Sequence, residues 1–226
     1  MARDNDKSPN GMWPHYARLE KALAQLETRW DSALSRVSQH DRLTVGPDRC
    51  ERSFWTRQVL RADRAGADRC VIVYRIDKPG CPLPALRILR GCQLAKEVRD
   101  QAAGLIVAEL QFERPLQRGE MAVTEFELHH RPPRPLATFY ERVLRHPTRE
   151  YVVEVEFASA ALPASCEQYL ASESDDIADN SRPVALDRSQ RAHAVILDAK
   201  PCRYGLRWMW PEPEVRSRRR RVPSRQ

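Results

Sequence analysis

Just past residue 46 the apolar residues of this chain change their spacing from three-and-four to two, and that change constrains how the chain can pack. Upstream, Tyr16, Leu19, Leu23, Leu26, Trp30, Leu34 and Val37 recur at intervals that gather them on one side of a helix. Arg18, Glu20, Lys21, Gln25 and Glu27 fall on the other side. Pro14 suits a first helical turn, where its missing N–H costs nothing, and Gly46-Pro47 ends the element. The stripe predicts an amphipathic helix over residues 13–45, behind a disordered polar stretch at 1–12. Two uses of the stripe are open. It can pack on the chain's own body, or the near-heptad spacing of 13–38 can make a homodimer seam. Trp30 favours the first, because a ring that large fits poorly at a regular seam.

Downstream the alternation persists. Residues 53–62 place Phe54, Leu60 and Ala62 on one side and Trp55 and Val59 on the other. Further strands are expected at 69–76, 94–99, 105–112, 121–128, 139–144, 151–157, 166–170, 192–197 and 204–210, with 94–112 forming a hairpin. In 151–157 the residues Tyr151, Val153, Val155 and Phe157 share a face against Val152, Glu154 and Glu156. Roughly ten strands separated by turn signals, with no helical period between 50 and 210, point to a mainly β chain. The expected body is an antiparallel β-sandwich over 46–211, with one N-terminal amphipathic helix and disordered termini. A parallel sheet with crossover helices is disfavoured. The proline segment 131–135 and the acidic run 172–181 are expected to be the least ordered stretches of that body.

The chain carries +7, unevenly spread. Residues 212–226 hold six arginines against two glutamates, so the body accounts for only +3 of the total. Like charges repel and cannot bury themselves, so the tail is expected to be disordered. Its Arg216, Arg218, Arg219, Arg220, Arg221 and Arg225 form the candidate nucleic-acid contact, salt-sensitive and blind to sequence because phosphates carry no base information. A solubilising tail without a partner is the competing reading, and loose pairing with the acidic run is a third. No apolar run approaches the roughly 20 residues a spanning helix needs. The N-terminus has acidic residues and no apolar core behind it, so no secretory signal is expected and the chain is placed in the cytoplasm.

No catalytic constellation is selected by the sequence. Six cysteines, Cys50, Cys70, Cys81, Cys92, Cys166 and Cys202, lack close metal-ligand spacing, so neither zinc nor another cofactor is expected, and reduced thiols packed as small hydrophobes are. His129 and His130 are neighbours on a strand end, so their rings point to opposite faces and cannot chelate one metal. His193 falls within a strand, while His15, His40 and His146 have no informative partner spacing. Glu125, Glu127, Glu154 and Glu156 alternate on strands, as paired catalytic carboxylates would and as the wet face of a half-buried sheet more commonly does. Trp208 and Trp210 share a face with Tyr204 and Leu206, as core or as a stacking wall for a ligand.

Four phrases carry a resemblance. They are 68–75 (Asp-Arg-Cys-Val-Ile-Val-Tyr-Arg), 113–120 (Glu-Arg-Pro-Leu-Gln-Arg-Gly-Glu), 149–152 (Arg-Glu-Tyr-Val) and 204–210 (Tyr-Gly-Leu-Arg-Trp-Met-Trp). Together they resemble the C-terminal β-rich domain of actinobacterial regulators that begin with an Xre-type helix-turn-helix, over about residues 43–210. The resemblance implies a non-enzymatic domain that senses a ligand or protein partner in transcription regulation, and it transfers no catalytic residue. One helix cannot supply a helix-turn-helix. The expected partners are therefore a separate DNA-binding protein or nucleic-acid phosphates met by the tail. The alternative is a small enzyme with its site at the sandwich rim.

Overall fold

The computed structural model describes residues 16–26, 33–76, 78, 80–171 and 180–212. The chain is mainly β, and the described residues form one short helix, α1 (Tyr16–Leu23), ahead of thirteen strands. In order these are β1 (Leu34–Val45), β2 (Glu51–Ala62), β3 (Ala67–Arg75), β4 (Ala85–Arg90), β5 (Gln93–Asp100), β6 (Leu105–Leu116) and β7 (Met121–His129). Then follow β8 (Phe139–Leu144), β9 (Thr148–Phe157), β10 (Ser165–Ala171), β11 (Asn180–Pro183), β12 (Arg191–Ala199) and β13 (Cys202–Met209). The expected 1–12 stretch and the six tail arginines lie outside the described residues, as does most of the acidic run.

Three sheets share one core. The largest runs β12-β9-β1-β2-β7-β4, the second β11-β10-β13-β8 and the third β3-β6-β5. Every ladder is antiparallel except β1 with β9, which pair in parallel from Arg36–Thr148 to Val45–Phe157. Alternation decides which side chains go in. On the six-stranded sheet Leu43, Val45, Phe54, Leu60, Phe126, Leu128, Val153, Val155 and Phe157 are buried. They join Ile72, Ile106, Leu110, Leu144, Leu206 and Trp208 from the other two sheets in one cluster.

Strand β6 is buried on both faces. Ile106, Ala108 and Leu110 turn toward that shared core, while Leu105 and Val107 turn the other way. There they meet Val71 of β3 and the buried Leu19 and Ala22 of α1. Two turns of helix are far too short to hold in water alone. Burial of Leu19, about 1.5–3 kcal/mol on the usual scale, with Arg18 Nη1 3.5 Å from Asp100 Oδ1 at the rim, keeps α1 in place.

Three expectations are corrected. The helix does not run over 13–45: it stops at Leu23, and residues 34–45 are the central strand β1, so the sheet body begins at 34 and not at 46. Leu34 and Val37 continued the helical count by coincidence. The register shift between Arg36 and Ser38 breaks the alternation, and the inward positions Gln39 and Asp41 are polar, which hid it further. The apolar side of α1 is occupied by the chain's own sheet, the first of its two anticipated uses. Lastly, the proline segment is tied down at its end, where Glu51 N–H donates to Pro135 O (3.0 Å), Arg134 Nε donates to His130 O (3.3 Å) and Pro135 is buried, while 131–133 are exposed.

Candidate functional site: an arginine-lined cleft over a buried carboxylate

Inward alternation on β1 delivers a carboxylate to the middle of the core. Asp41 has no exposed surface, and its two oxygens accept from five side chains. Arg142 of β8 donates through Nε (2.8 Å) and Nη2 (3.1 Å), the bidentate fork that binds a carboxylate best. Thr56 Oγ1 (2.8 Å), Tyr140 Oη (3.0 Å), Tyr151 Oη (3.0 Å) and Gln39 Nε2 (3.1 Å) complete the shell. Gln39 in turn accepts from Gln58 Nε2 at 3.2 Å.

Burial alone would raise the Asp41 carboxyl, but the Arg142 charge and the hydroxyl and amide donors overcome it and hold the group below its ordinary value. Burial pushes the phenols of Tyr140 and Tyr151 well up, so both remain protonated donors. Such a satisfied network lacks an exposed nucleophile or base. Its physical effect is to clamp β8 of the four-stranded sheet onto β1 of the six-stranded one.

Above this clamp lies a cleft of about 380 Å³. Residues 71–76 of and after β3 form one wall, 138–143 of and before β8 the other, and Gln58 and Phe126 face it from the large sheet. Phe54 supports the floor, its ring 5.0 Å from Tyr140 and 5.7 Å from Tyr74, with the Arg142 guanidinium 5.5 Å over its centre. Among the described residues, six cationic side chains, Arg36, Arg75, Lys78, Arg142, Arg145 and Arg203, line the cleft with Glu51 and Glu141; Arg142 is the counter-ion of Asp41, and Arg203 lies 3.8 Å from Glu141.

Behind two of the lining residues, Tyr74 and Glu51, sits His130, its side chain fully buried. Nε2 lies 2.9 Å from Tyr74 Oη and 3.2 Å from Glu51 Oε2, so the tautomer with the proton on Nε2 serves the carboxylate. Nδ1 then remains a bare acceptor in the core. Protonating it would bury an N–H without an acceptor. Burial and the nearby Arg134 and His129 bring the ring down to about 4, so it is neutral near pH 7.

The neighbouring His129 points the other way, to Glu127 Oε2 at 2.8 Å, as expected for adjacent strand residues. Glu125, Glu127, Glu154 and Glu156 all lie on the outer face of the six-stranded sheet, each paired: Arg57 with Glu125, His40 with Glu154 (3.2 Å), Arg191 with Glu156 (2.9 Å). They form the wet face of the sheet and do not converge on the cleft. His193 is exposed on that face. Tyr204, Leu206 and Trp208 are core, with Trp208 edge-on to Phe157 at 5.3 Å. Cys70, Cys166 and Cys202 are buried and the other three thiols half-buried, and burial pushes Cys92 and Cys166 up to about 11. Among the described residues no three metal-ligating side chains cluster, and no helix is long and apolar enough to cross a membrane.

Asp41, Tyr140, Arg142, Tyr74 and Glu51 were not singled out from the sequence. The signal was present in parity: Gln39, Asp41, Thr56, Gln58 and Thr124 occupy inward positions of three adjacent strands. Polar residues on the buried side of neighbouring strands have to find one another.

No family model matches the chain, and no curated protein does. Solved structures match it only weakly. One is an M1 zinc metallopeptidase from Deinococcus radiodurans, 15% identical over 78% of this chain and 42% of that one, with a TM-score of 0.41. Another is a mutant of that enzyme bound to a Tyr-Ser-Ala substrate, 14% identical over 77% and 42%, also at 0.41. The chain thus spans less than half the length of the structures it matches. A likeness of that order favours neither a binding module nor an enzyme.

Proposed function

We propose that this chain is a non-enzymatic binding domain used in regulation, and that the cleft between β3 and β8 receives an anionic ligand or partner. The observation that carries the reading is the charge of the cleft: among the described residues, five cations besides the Arg142 that Asp41 neutralises stand against two carboxylates on a concave, partly apolar surface. Clefts of one charge sign concentrate the opposite one, and apolar walls with a few placed polar groups are the usual make-up of a ligand site. Regulation is supported by the phrase-level resemblance to the C-terminal domain of Xre-type regulators. A separate DNA-binding protein, or nucleic-acid phosphates met by the tail arginines, would then complete the system in the cytoplasm.

Calorimetry with inorganic phosphate, simple dicarboxylates and short acidic peptides tests the cleft. At least one of them should bind, and Lys78→Glu combined with Arg145→Glu should weaken it tenfold or more. Failure of all three at millimolar concentration contradicts the reading.

One observation favours an enzyme instead. Tyr74 and Glu51 line the cleft and both contact the buried His130 behind them, a link through which a proton could pass to a bound ligand. Turnover of a cleft ligand that is abolished by His130→Gln while affinity is kept would establish that second reading.

A further inference from the structure

We infer that the occupant of the cleft is an extended acidic segment of a partner protein, which adds to the open edge of β8 as a new strand. This rests on the binding reading above and makes its partner specific.

Strand β8 closes the four-stranded sheet on one side and, among the described residues, pairs only with β13. Trp208 N–H donates to Thr138 O just before β8, so the Thr138 backbone faces β13. In an antiparallel ladder backbone direction alternates with every residue. Tyr140 and Arg142 therefore also turn their N–H and C=O groups to β13, while Phe139, Glu141 and Val143 turn theirs to the opposite edge. No backbone partner among the described residues meets those three.

This edge runs along the cleft, for residues 138–143 form one of its walls without a break. Exposed edges are normally blunted by charge, by proline or by a covering loop, yet here the edge opens onto a concavity. The side-chain alternation of β8 suits an added strand. Tyr140 and Arg142 are tied into the Asp41 network and hold β8 rigid from below. Phe139 is 43% exposed on the outer face, where Glu141 accepts from Tyr169 at 2.9 Å. A second hollow on that face, lined by Phe139, Tyr169 and Met209 with Arg203 and Arg207 matched by Glu141 and Glu167, adjoins the first. A peptide strand beside β8 would send alternate side chains toward the cleft floor and toward this outer hollow. Main-chain hydrogen bonds supply affinity in that mode and alternate side-chain pockets supply specificity.

Charge selects the class of peptide. Arg36, Arg75, Lys78 and Arg145 lie along the cleft, and Arg203 lines both hollows. A basic or neutral strand would meet repulsion or lose this attraction, whereas an acidic one gains at every second residue.

The test is amide hydrogen exchange on the whole chain, read by nuclear magnetic resonance. The probes are a short peptide of alternating valine and aspartate, its valine–lysine counterpart, and inorganic phosphate. The expected result is that only the acidic peptide slows exchange at Phe139, Glu141 and Val143, by tenfold or more. Val143→Pro removes one outward N–H at an edge, where proline is tolerated, and should weaken the peptide at least tenfold while leaving phosphate affinity unchanged. The exchange pattern of the wild-type chain decides the matter should that variant not fold. Binding of the acidic peptide without protection of these three amides, or binding of phosphate with no binding of the acidic peptide, overturns strand addition and keeps the binding cleft. Binding of none of the probes overturns both.

Discussion

Asp41 illustrates how a single buried charge is tolerated. Desolvation costs several kcal/mol per ion, and here a bidentate guanidinium and four further donors offset it. Asp41→Asn leaves the Arg142 charge in the core without its counter-ion and should destabilise the fold by about 3–5 kcal/mol, read by urea denaturation. The pH dependence follows from the direction of the shift. The folded carboxyl titrates below its unfolded value near 3.8, so its contribution is present above that value and is lost as pH falls through the depressed folded one. His130 acts in the same direction over a different range. Its folded ring refuses until about 4 a proton that the unfolded ring accepts near 6.5. Stability should therefore decline as pH drops from about 6.5 toward 4. An imidazole titration should show His130 unprotonated at pH 5.5, whereas a midpoint near 6.5 would mean that the ring is solvated.

Among the elements, β8 and β13 meet closely. A Cβ built on Gly205 would stand 2.1 Å from the Tyr140 carbonyl oxygen, a backbone atom that cannot move aside. Gly205→Ala should therefore prise β8 from its neighbour and cost about 1–3 kcal/mol by overpacking, with faster amide exchange along 139–144 as its signature. Leu19→Ala should cost about 2–5 kcal/mol if the site cannot collapse and release α1 before the sheets melt. Strands such as β2, β7 and β9 were legible because each buries one face in alternation, whereas β4 (Ala85–Arg90) and β11 (Asn180–Pro183), which bury none of their residues, were not anticipated. Strand β1 was not, because its inward side holds Gln39 and Asp41 where a pattern reader expects apolar residues, and because a register shift at Val37 breaks the count. The same polar residues that concealed the strand build the floor of the candidate site. The open edge of β8 was also invisible beforehand, since sheet order depends on contacts distant in sequence.

At the scale of the whole molecule, two basic regions divide the proposed work: a cleft shaped by three sheets, and a tail whose arginines at 216, 218–221 and 225 lie outside the described residues. Their salt dependence separates them. If the tail contacts nucleic acid through up to six phosphates, deleting 212–226 should flatten the salt dependence of duplex binding by roughly 0.9 per lost contact in log–log slope, while cleft binding stays unchanged. Unaltered duplex affinity would remove the tail from the system. The cleft itself is tested most directly by mapping chemical shifts across the chain during titration with the valine–aspartate peptide. The expected shifts centre on Tyr74, residues 138–143 and the arginines around them, and fade with added salt. Shifts confined to the outer face of the six-stranded sheet, or none at all, would contradict a binding site between β3 and β8.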